Sequence, residues 1–470
     1  MWRQSGMRTR PAMAMPERAD RSDSDVPENE EPDNEDNDFG PIDDPVQVFT
    51  GSLADIDPEV AGLIDAELAR QRSTLDLVAS ESVPPRAVLE AQGSILTAKY
   101  ADGYPSRRDY DTCEVIDAIE TLAIERAKDL FGAAHANVQP YSGSSANQSV
   151  LHALCEPGDR VLGFDFNHGG HPTNYHRDTF AGRYYDAVAY HVRERDRLVD
   201  MDEVASLAKQ HRPKVIFAGW SCYPRFLDFR AFREICDETG AFLVVDMAHF
   251  AGLVAAGLHP DPVGYADACT MTVHKTLGGA RGGAILCQAE LADRIDAAVY
   301  PGEQGCPLPH VIAAKAVTFA IAATDSYRRR MERTVSGAQT IAAVLSDAEA
   351  ATGAHVVTGG TDVHQLLVDL APSGRDASGE LARLNALGIS ANAIRLAFDP
   401  MIPPGASGLR LGAAALAARG FGHAEFEEVG SIVATALAEP IGDRTSPAAS
   451  RLAERVRALV EAFPLYAFLD

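Results

Sequence analysis

Lysine is scarce in this chain: of 42 basic side chains only six are lysine, at Lys99, Lys128, Lys209, Lys214, Lys275 and Lys315. Arginine carries the rest, so a retained lysine marks either chance or a place where only a primary amine serves. Long apolar runs are missing too. None approaches the roughly 18 residues of a membrane span, and the longest, "AFLVVDMAHFAGLVAAG", is interrupted by Asp246 and His249. The opening "MWRQSGMRTRPAMAMPERA" has no continuous hydrophobic segment, so no secretory signal is expected there. The seven cysteines form no CxxC pair and are odd in number, which reads as reduced thiols of a cytoplasmic protein. Net positive charge is also lacking. At −25 the chain is a poor partner for nucleic acid, whose phosphates need clustered Lys or Arg.

Part of that charge is local. Between Arg21 and Asp44 stand 11 acidic residues against one arginine, the composition of a disordered acidic arm or of a translated leader that begins before Met13 or Met15. The arm is placed at 1–50 and stands outside the fold argument. From about Asp55 the sequence becomes globular. "DPEVAGLIDAELARQRS" spaces Val60, Leu63, Ile64 and Leu68 as a helix does, and "DAIETLAIERAKDLFG" is a second amphipathic helix closed by Gly132. Then "VLGFDF", "VIFAGWS", "AFLVVDM", "ACTMTVH" and "GGAILC" alternate with helical stretches. That alternation predicts an α/β fold, a mostly parallel sheet covered on both faces, with ligands beyond the carboxyl ends of the strands. A helical stretch from Pro309 to Leu345 precedes a smaller α+β region, and "SRLAERVRALVEAF" closes the chain. The expected segments are 1–50, 51–95, a large domain 96–325 and a small domain 326–470.

The chemistry gathers around "TVHKTLGGARGG". Lys275 leaves a strand-like run and is followed by glycines that permit a sharp turn or close approach to a ligand. A desolvated lysine near another cation has a lowered pKa and attacks carbonyls. A phosphate-gripping lysine is the weaker reading, since the glycines follow it rather than precede it as in a P-loop, and a nucleotide-binding reading of "GGARGG" ranks lower still. Asp246 closes the buried run "AFLVVD"; alone it reads as a turn former, but with Lys275 it supplies the acid that pyridoxal phosphate needs at its ring nitrogen. Ser142, Gly143 and Ser144 precede a helical run and suit a phosphate, though an ordinary N-cap looks the same. "HGGH", with His168, His171 and His176, lacks carboxylate or thiolate ligands at zinc spacing, so no metal is expected; a histidine stacked on a flat ligand fits better. Arg410, in the apolar "SGLRLG", needs an anion. A substrate carboxylate and a structural salt bridge are equal candidates.

Together "LVASESV", "AKYADGYP", "AIERAKDLFGAAHANVQPYSGSSAN", "HGGH", "VDMAHFAGLVAAG", "VHKTLGGARGG", "YPGEQGCPLPHVIAAKAV" and "SGLRLG" make the chain, from about Leu77 to Phe421, resemble serine hydroxymethyltransferase. That family consists of fold type I (aspartate aminotransferase-like) pyridoxal-phosphate enzymes that interconvert serine and glycine. The resemblance implies Lys275 as the lysine that binds the cofactor, Asp246 as partner of the ring nitrogen, His171 stacked on the ring, and Ser142, Gly143 and Ser144 at the phosphate. Ser221, His249, Thr272 and His274 would surround the cofactor. Ser80 and Arg410 would hold the amino-acid carboxylate. Tyr100 and Gly305, the latter at the cofactor, would serve the neighbouring subunit's site, which implies a homodimer or homotetramer with segment 51–95 as a dimer arm, while Asp102 would act in proton transfer near the folate and Tyr110 would contact substrate. Lys275, His171, Tyr100 and Asp102 are the expected catalytic group.

The departures from the family pattern fall on one side. A glutamate is usual where Asp102 stands, and Asp109-Tyr110-Asp111-Thr112 replaces two tyrosines and two glycines. Two leucines that usually sandwich folate are Phe166 and Pro172, and the later loop reads "NAIRLAFDP". With the cofactor half intact and the folate half rewritten, the expectation leans toward a threonine-type transaldolase passing a glycine-derived carbanion to an aldehyde. The alternatives are folate-dependent glycine hydroxymethyltransferase proper and, in another class, a catalytically silent cofactor-binding regulatory subunit.

Overall fold

The computed structural model describes residues 45–399, 405–438 and 446–469. Most of the expected acidic arm, 1–44, lies outside the described residues. The chain divides into two units, up to Ile64 and from Asp65 onward. The described part of the first is helical: Pro45–Thr50, Leu53–Ile56 with a capping box between Ser52 and Asp55, and the start of a helix running Pro58–Ser73. Of the apolar positions expected on that last helix, Leu63 is 64% and Ile64 55% exposed, and no residue of the helix is buried among the described residues.

The second unit is built on a seven-stranded sheet. Its strands in chain order are β1 His135–Asn137, β2 Arg160–Phe164, β3 Asp186–Tyr190, β4 Val215–Gly219, β5 Phe242–Asp246, β6 Ala268–Thr272 and β7 Gly283–Cys287. They lie side by side as β1-β7-β6-β5-β4-β2-β3. From β6 to β3 every pairing is parallel, and β7 alone runs against both of its neighbours. All five apolar runs read as strands are strands. Their near-continuous hydrophobicity has a simple cause: successive side chains point to opposite faces, and both faces are covered. On β5, Leu243 and Val245 enter the core shared with Phe131, Phe232 and Phe319, while Val244 enters the one shared with Val150, Leu151 and Ile295.

Helix α1, Glu114–Phe131, ends where Gly132 takes a left-handed φ of 64°. Helix α2, Gly143–Leu154, starts from a capping box of Ser142 and Ser145. The long helical stretch expected from Pro309 is two helices, α3 Pro309–Ala322 and α4 Asp325–Asp347. They divide at Thr324, whose hydroxyl caps Tyr327 N. A smaller sheet holds β8 His355–Val356, β9 Gln365–Asp369, β10 Asn392–Ile394 and β11 Gly408–Gly412, in the antiparallel order β8-β9-β11-β10. It has its own core around Leu366, Val368, Leu409 and Leu411, shared with Phe426, Val429 and the closing helix Pro447–Ala462. A mostly parallel sheet between helices, followed by a smaller α+β part, is the fold type I architecture. Among the described residues no helix is long and apolar enough to cross a membrane, and the seven cysteines are unpaired.

Candidate active site

Three neighbouring parallel strands end at one place. Asp246 is the last residue of β5, Lys275 lies three residues beyond β6, and Ser221 two beyond β4. The register places Gly219 opposite Asp246 and Asp246 opposite Thr270, so these ends are level. Gly219 has a φ of 129°, and a side chain there would overlap the Asp246 carbonyl, so the sharp exit from β4 requires glycine.

Lys275 is half-buried. Loss of hydration pulls its pKa down to about 8; Asp246 resists the fall, and the guanidiniums of Arg410 and Arg281 add to it. The amine therefore keeps a substantial neutral fraction near pH 8, as a nucleophile must. Asp246 is buried and takes two hydrogen bonds, from Asn147 Nδ2 at 2.8 Å and Ala248 N at 3.1 Å, one on each oxygen. Each oxygen keeps a lone pair for a further donor. Asn147 is the hub here, because its Nδ2 also meets Thr173 Oγ1 and Asn174 Oδ1 at 3.0 Å while Thr270 Oγ1 donates to its Oδ1 at 2.6 Å.

His171 lies where the charges of Asp246 and Lys275 both act on it, its Nδ1 2.6 Å from Thr173 Oγ1. Burial lowers its pKa; Asp246 opposes this and Lys275 reinforces it, so the ring is held neutral. His249 is pushed further down by burial, then by Lys275 and Arg410; its Nε2 lies 3.3 Å from Ser221 Oγ and its Nδ1 has no partner. Thr272 donates to Ala248 O at 3.1 Å. His274, pulled to about 4 by burial and the nearby Arg281 and Lys275, has Gly282 N 3.4 Å from its Nδ1.

Arg410, on β11, is only 8% exposed, yet no carboxylate among the described residues pairs with it. Its donors go to Asn392 Oδ1 (2.7 and 3.1 Å), Ser221 O (3.1 Å) and Cys222 Sγ (3.2 Å). Of the two candidate partners, the structural salt bridge is thus not seen. A buried cation without a counter-charge is costly, and this one faces the amine of Lys275 closely enough to lower its pKa. Ser80 lines a separate cavity of about 370 Å³ together with His274 and Arg281.

Tyr100, Asp102 and Tyr110 form a different group. Tyr100 and Tyr110 are 59% and 45% exposed, with ring centroids 5.4 Å apart. Tyr141 joins them, its hydroxyl donating to Cys306 O at 2.6 Å beside Gly305, and Tyr300 Oη donates to Asp109 at 2.5 Å. The groups that act electrostatically on Lys275 are Asp246, Arg410, Cys222 and Arg281, none of which belongs to this set. Sequence reasoning missed Asn147, Asn392, Cys222 and Lys315. Only Lys315 had a signal, its rarity; the others are brought in by tertiary contact. Among the described residues no three His, Cys, Asp or Glu side chains converge as a metal site requires. His168 instead packs on His191 and Phe398 (centroids 4.7 and 5.0 Å away), and its Nδ1 accepts from Val192 N.

With this geometry in place, likeness to known proteins can be set beside it. A family model described as serine hydroxymethyltransferase matches residues 53–433. A serine hydroxymethyltransferase of Nocardia farcinica is 56% identical over 424 residues, covering 90% of this chain and 97% of that protein. One from Leifsonia xyli subsp. xyli is 54% identical, covering 89% and 96%. Serine hydroxymethyltransferase 2 of Mycobacterium tuberculosis is 52% identical, covering 90% and 99%.

Proposed function

The chain belongs to the serine hydroxymethyltransferase family, a family of pyridoxal-phosphate transferases, and we propose that it interconverts serine and glycine with tetrahydrofolate as the one-carbon partner. The observation that carries this reading is the convergence on one amine: Lys275 is flanked by Asp246 and by a buried Arg410 that lacks a carboxylate. The transaldolase lean gives way to the plain hydroxymethyltransferase alternative. The relatives that carry that name are 52%, 54% and 56% identical to this chain over nearly their whole length.

The residues present fit the cofactor. Gly143 has room only for a hydrogen, because a Cβ there would lie 2.7 Å from Thr272 Cγ2, so the backbone of the α2 start is pressed against the end of β6. Its first N–H groups and the positive helix end suit a phosphate. In this reading Ser142, Gly143 and Ser144 hold the phosphate and Lys275 the carbonyl carbon. Asp246, steadied by Asn147, holds the ring nitrogen protonated, and neutral His171 lies on the ring face. Ser221, His249, Thr272 and His274 enclose the remaining edges. Arg410 would bind the substrate carboxylate, so that the Cα–Cβ bond is presented in a fixed orientation; Ser80, expected beside it, lines the cavity around His274 and Arg281 instead. When bound, the cofactor accepts the electrons of that breaking bond. Tyr100, Asp102, Tyr110 and Gly305 would act in a second subunit's site, Asp102 moving the hydroxymethyl proton, in a homodimer or homotetramer with residues 51–95 as its arm. Residues 96–325 would then be the cofactor-binding domain and 326–470 the small domain. The unpaired thiols support a cytoplasmic setting.

The test supplies the holoenzyme with serine, with and without tetrahydrofolate, and separately with threonine and an aldehyde acceptor. Serine cleavage should rise by about tenfold or more with folate and exceed threonine cleavage. Transfer from threonine to the aldehyde that outruns it, indifferent to folate, would sink the proposal.

A further inference from the structure

Lys315 is 1% exposed, and no carboxylate among the described residues is in salt-bridge contact with it. It projects from α3 beneath the segment that leads into α2. Its Nζ donates to Val138 O at 2.6 Å and Pro140 O at 3.0 Å. The intervening carbonyl, Gln139 O, accepts from Gln304 Nε2 at 3.2 Å, and Gln304 Oε1 accepts from Tyr141 N at 3.0 Å. Pro140 O also accepts from Gly283 N at 3.0 Å. In residues 138–141 the carbonyls of Val138, Gln139 and Pro140 and the N–H of Tyr141 are therefore all taken, by Lys315, Gln304 and Gly283. The next free donors are the N–H groups of Gly143 and Ser144, since Ser145 N turns back to Ser142 Oγ at 3.0 Å.

The glycine-rich loop is fitted to this lysine. A Cβ on Gly282 would lie 2.6 Å from Lys315 Cε and 3.1 Å from Nζ, so the channel holds a thin alkyl stem and has no width for the planar fork of arginine. That accounts for a lysine in a chain that otherwise prefers arginine. The nearest acid is Glu120, itself buried and held by Arg108 Nη2 at 2.7 Å and Gln139 Nε2 at 2.8 Å. Burial pulls Lys315 down to about 7, against the pull of Glu120. A neutral donor would satisfy two carbonyls at less desolvation cost. A cation there gains from an anion bound just above.

We propose that Lys315 is a positioning residue for the cofactor's phosphate: it pins the Val138–Pro140 carbonyls inward, leaves the Gly143 and Ser144 N–H groups facing the ligand, and adds a buried positive charge beneath them. The proposal rests on the pyridoxal-phosphate reading and concerns only its phosphate end.

The experiment compares affinities of the full-length apoprotein for pyridoxal phosphate and for pyridoxal, which lacks the phosphate and reports on Lys275 and the ring contacts alone. Lys315→Met should reduce the preference for pyridoxal phosphate over pyridoxal by roughly 10- to 100-fold while pyridoxal binding stays within about twofold. Lys315→Gln, which keeps a donor but loses the charge, should reduce it by about tenfold, and is read alone if the methionine variant does not fold. Equal loss of both ligands, the signature of general disruption, or no loss of either, overturns the proposal. Wild-type protein that binds neither would instead overturn the cofactor assignment itself.

Discussion

Two groups of functional side chains differ in how finished they are. The group around Lys275 is enclosed, and its side chains have neighbours that hold them: Asn147 donates to Asp246, Arg410 donates to Asn392, and burial with two cations lowers the pKa of His249. The group around Tyr100 and Tyr110 stands on the surface, both rings being exposed, with the charge of a half-buried Asp102 acting on Tyr110. Aromatic rings and carboxylates left half in water do not make a site. Where a site is completed by a second surface, though, such exposure is what a single chain shows. The difference teaches that the surroundings of Lys275 are enclosed within one chain, while the described residues do not enclose the surface around Tyr100 and Tyr110.

The largest effect should come from the enclosed group. Lys275→Ala removes the amine on which the Asp246 charge acts and should lower serine turnover on the order of 10⁴-fold or more, with loss of the yellow cofactor absorbance. Retention of that absorbance would mean that the two groups have been told apart on the wrong residue. Arg410→Leu should act on binding instead. Hydrogen bonds to a charged group are each worth about 1.5–3 kcal/mol, so KM for serine should rise ~10- to 150-fold with a smaller change in kcat. A kcat loss exceeding the KM rise would show that Arg410 orders the pocket through Asn392 and Ser221 rather than by holding substrate.

The same contrast explains what was legible in the sequence. Strand runs such as "AFLVVD" were readable because burial on both faces leaves no polar alternation to confuse. Gly132 announced the end of α1 through the left-handed backbone it needs. Lys275 and Asp246 were readable as a pair because one closely follows a strand and the other closes the neighbouring one, and adjacent parallel strands end together. The break at Thr324 was missed, since the apolar periodicity runs through it while one hydroxyl cap decides the boundary. Asn147 and Asn392 were invisible for a different reason. An asparagine on a helix or an edge strand looks like surface until tertiary contact turns it toward an acid or a guanidinium. The stripe Leu63–Ile64 was legible as amphipathic, but periodicity does not say what covers it.

The smallest effect should fall on the exposed group, and it tests whether the departure at Asp102 matters. Asp102 is half-buried, and its backbone carbonyl accepts from Asp109 N at 3.0 Å. Among the described residues no side-chain hydrogen bond of Asp102 stands to be broken by a longer side chain, so Asp102→Glu should leave stability within about 0.5 kcal/mol. If the carboxylate works on a substrate held by another subunit, its reach is what matters. Displacing a catalytic group by about 1 Å can cost up to ~10²-fold, but here one flexible methylene is added at a surface free to adjust. Folate-dependent serine cleavage should therefore change by less than about tenfold, with KM for serine and the cofactor absorbance unchanged. Steady-state kinetics with and without tetrahydrofolate separate the possibilities. A change confined to the folate-dependent rate keeps the two groups functionally distinct. A rise in the serine KM like that of Arg410→Leu would place Asp102 in the carboxylate pocket and dissolve the distinction.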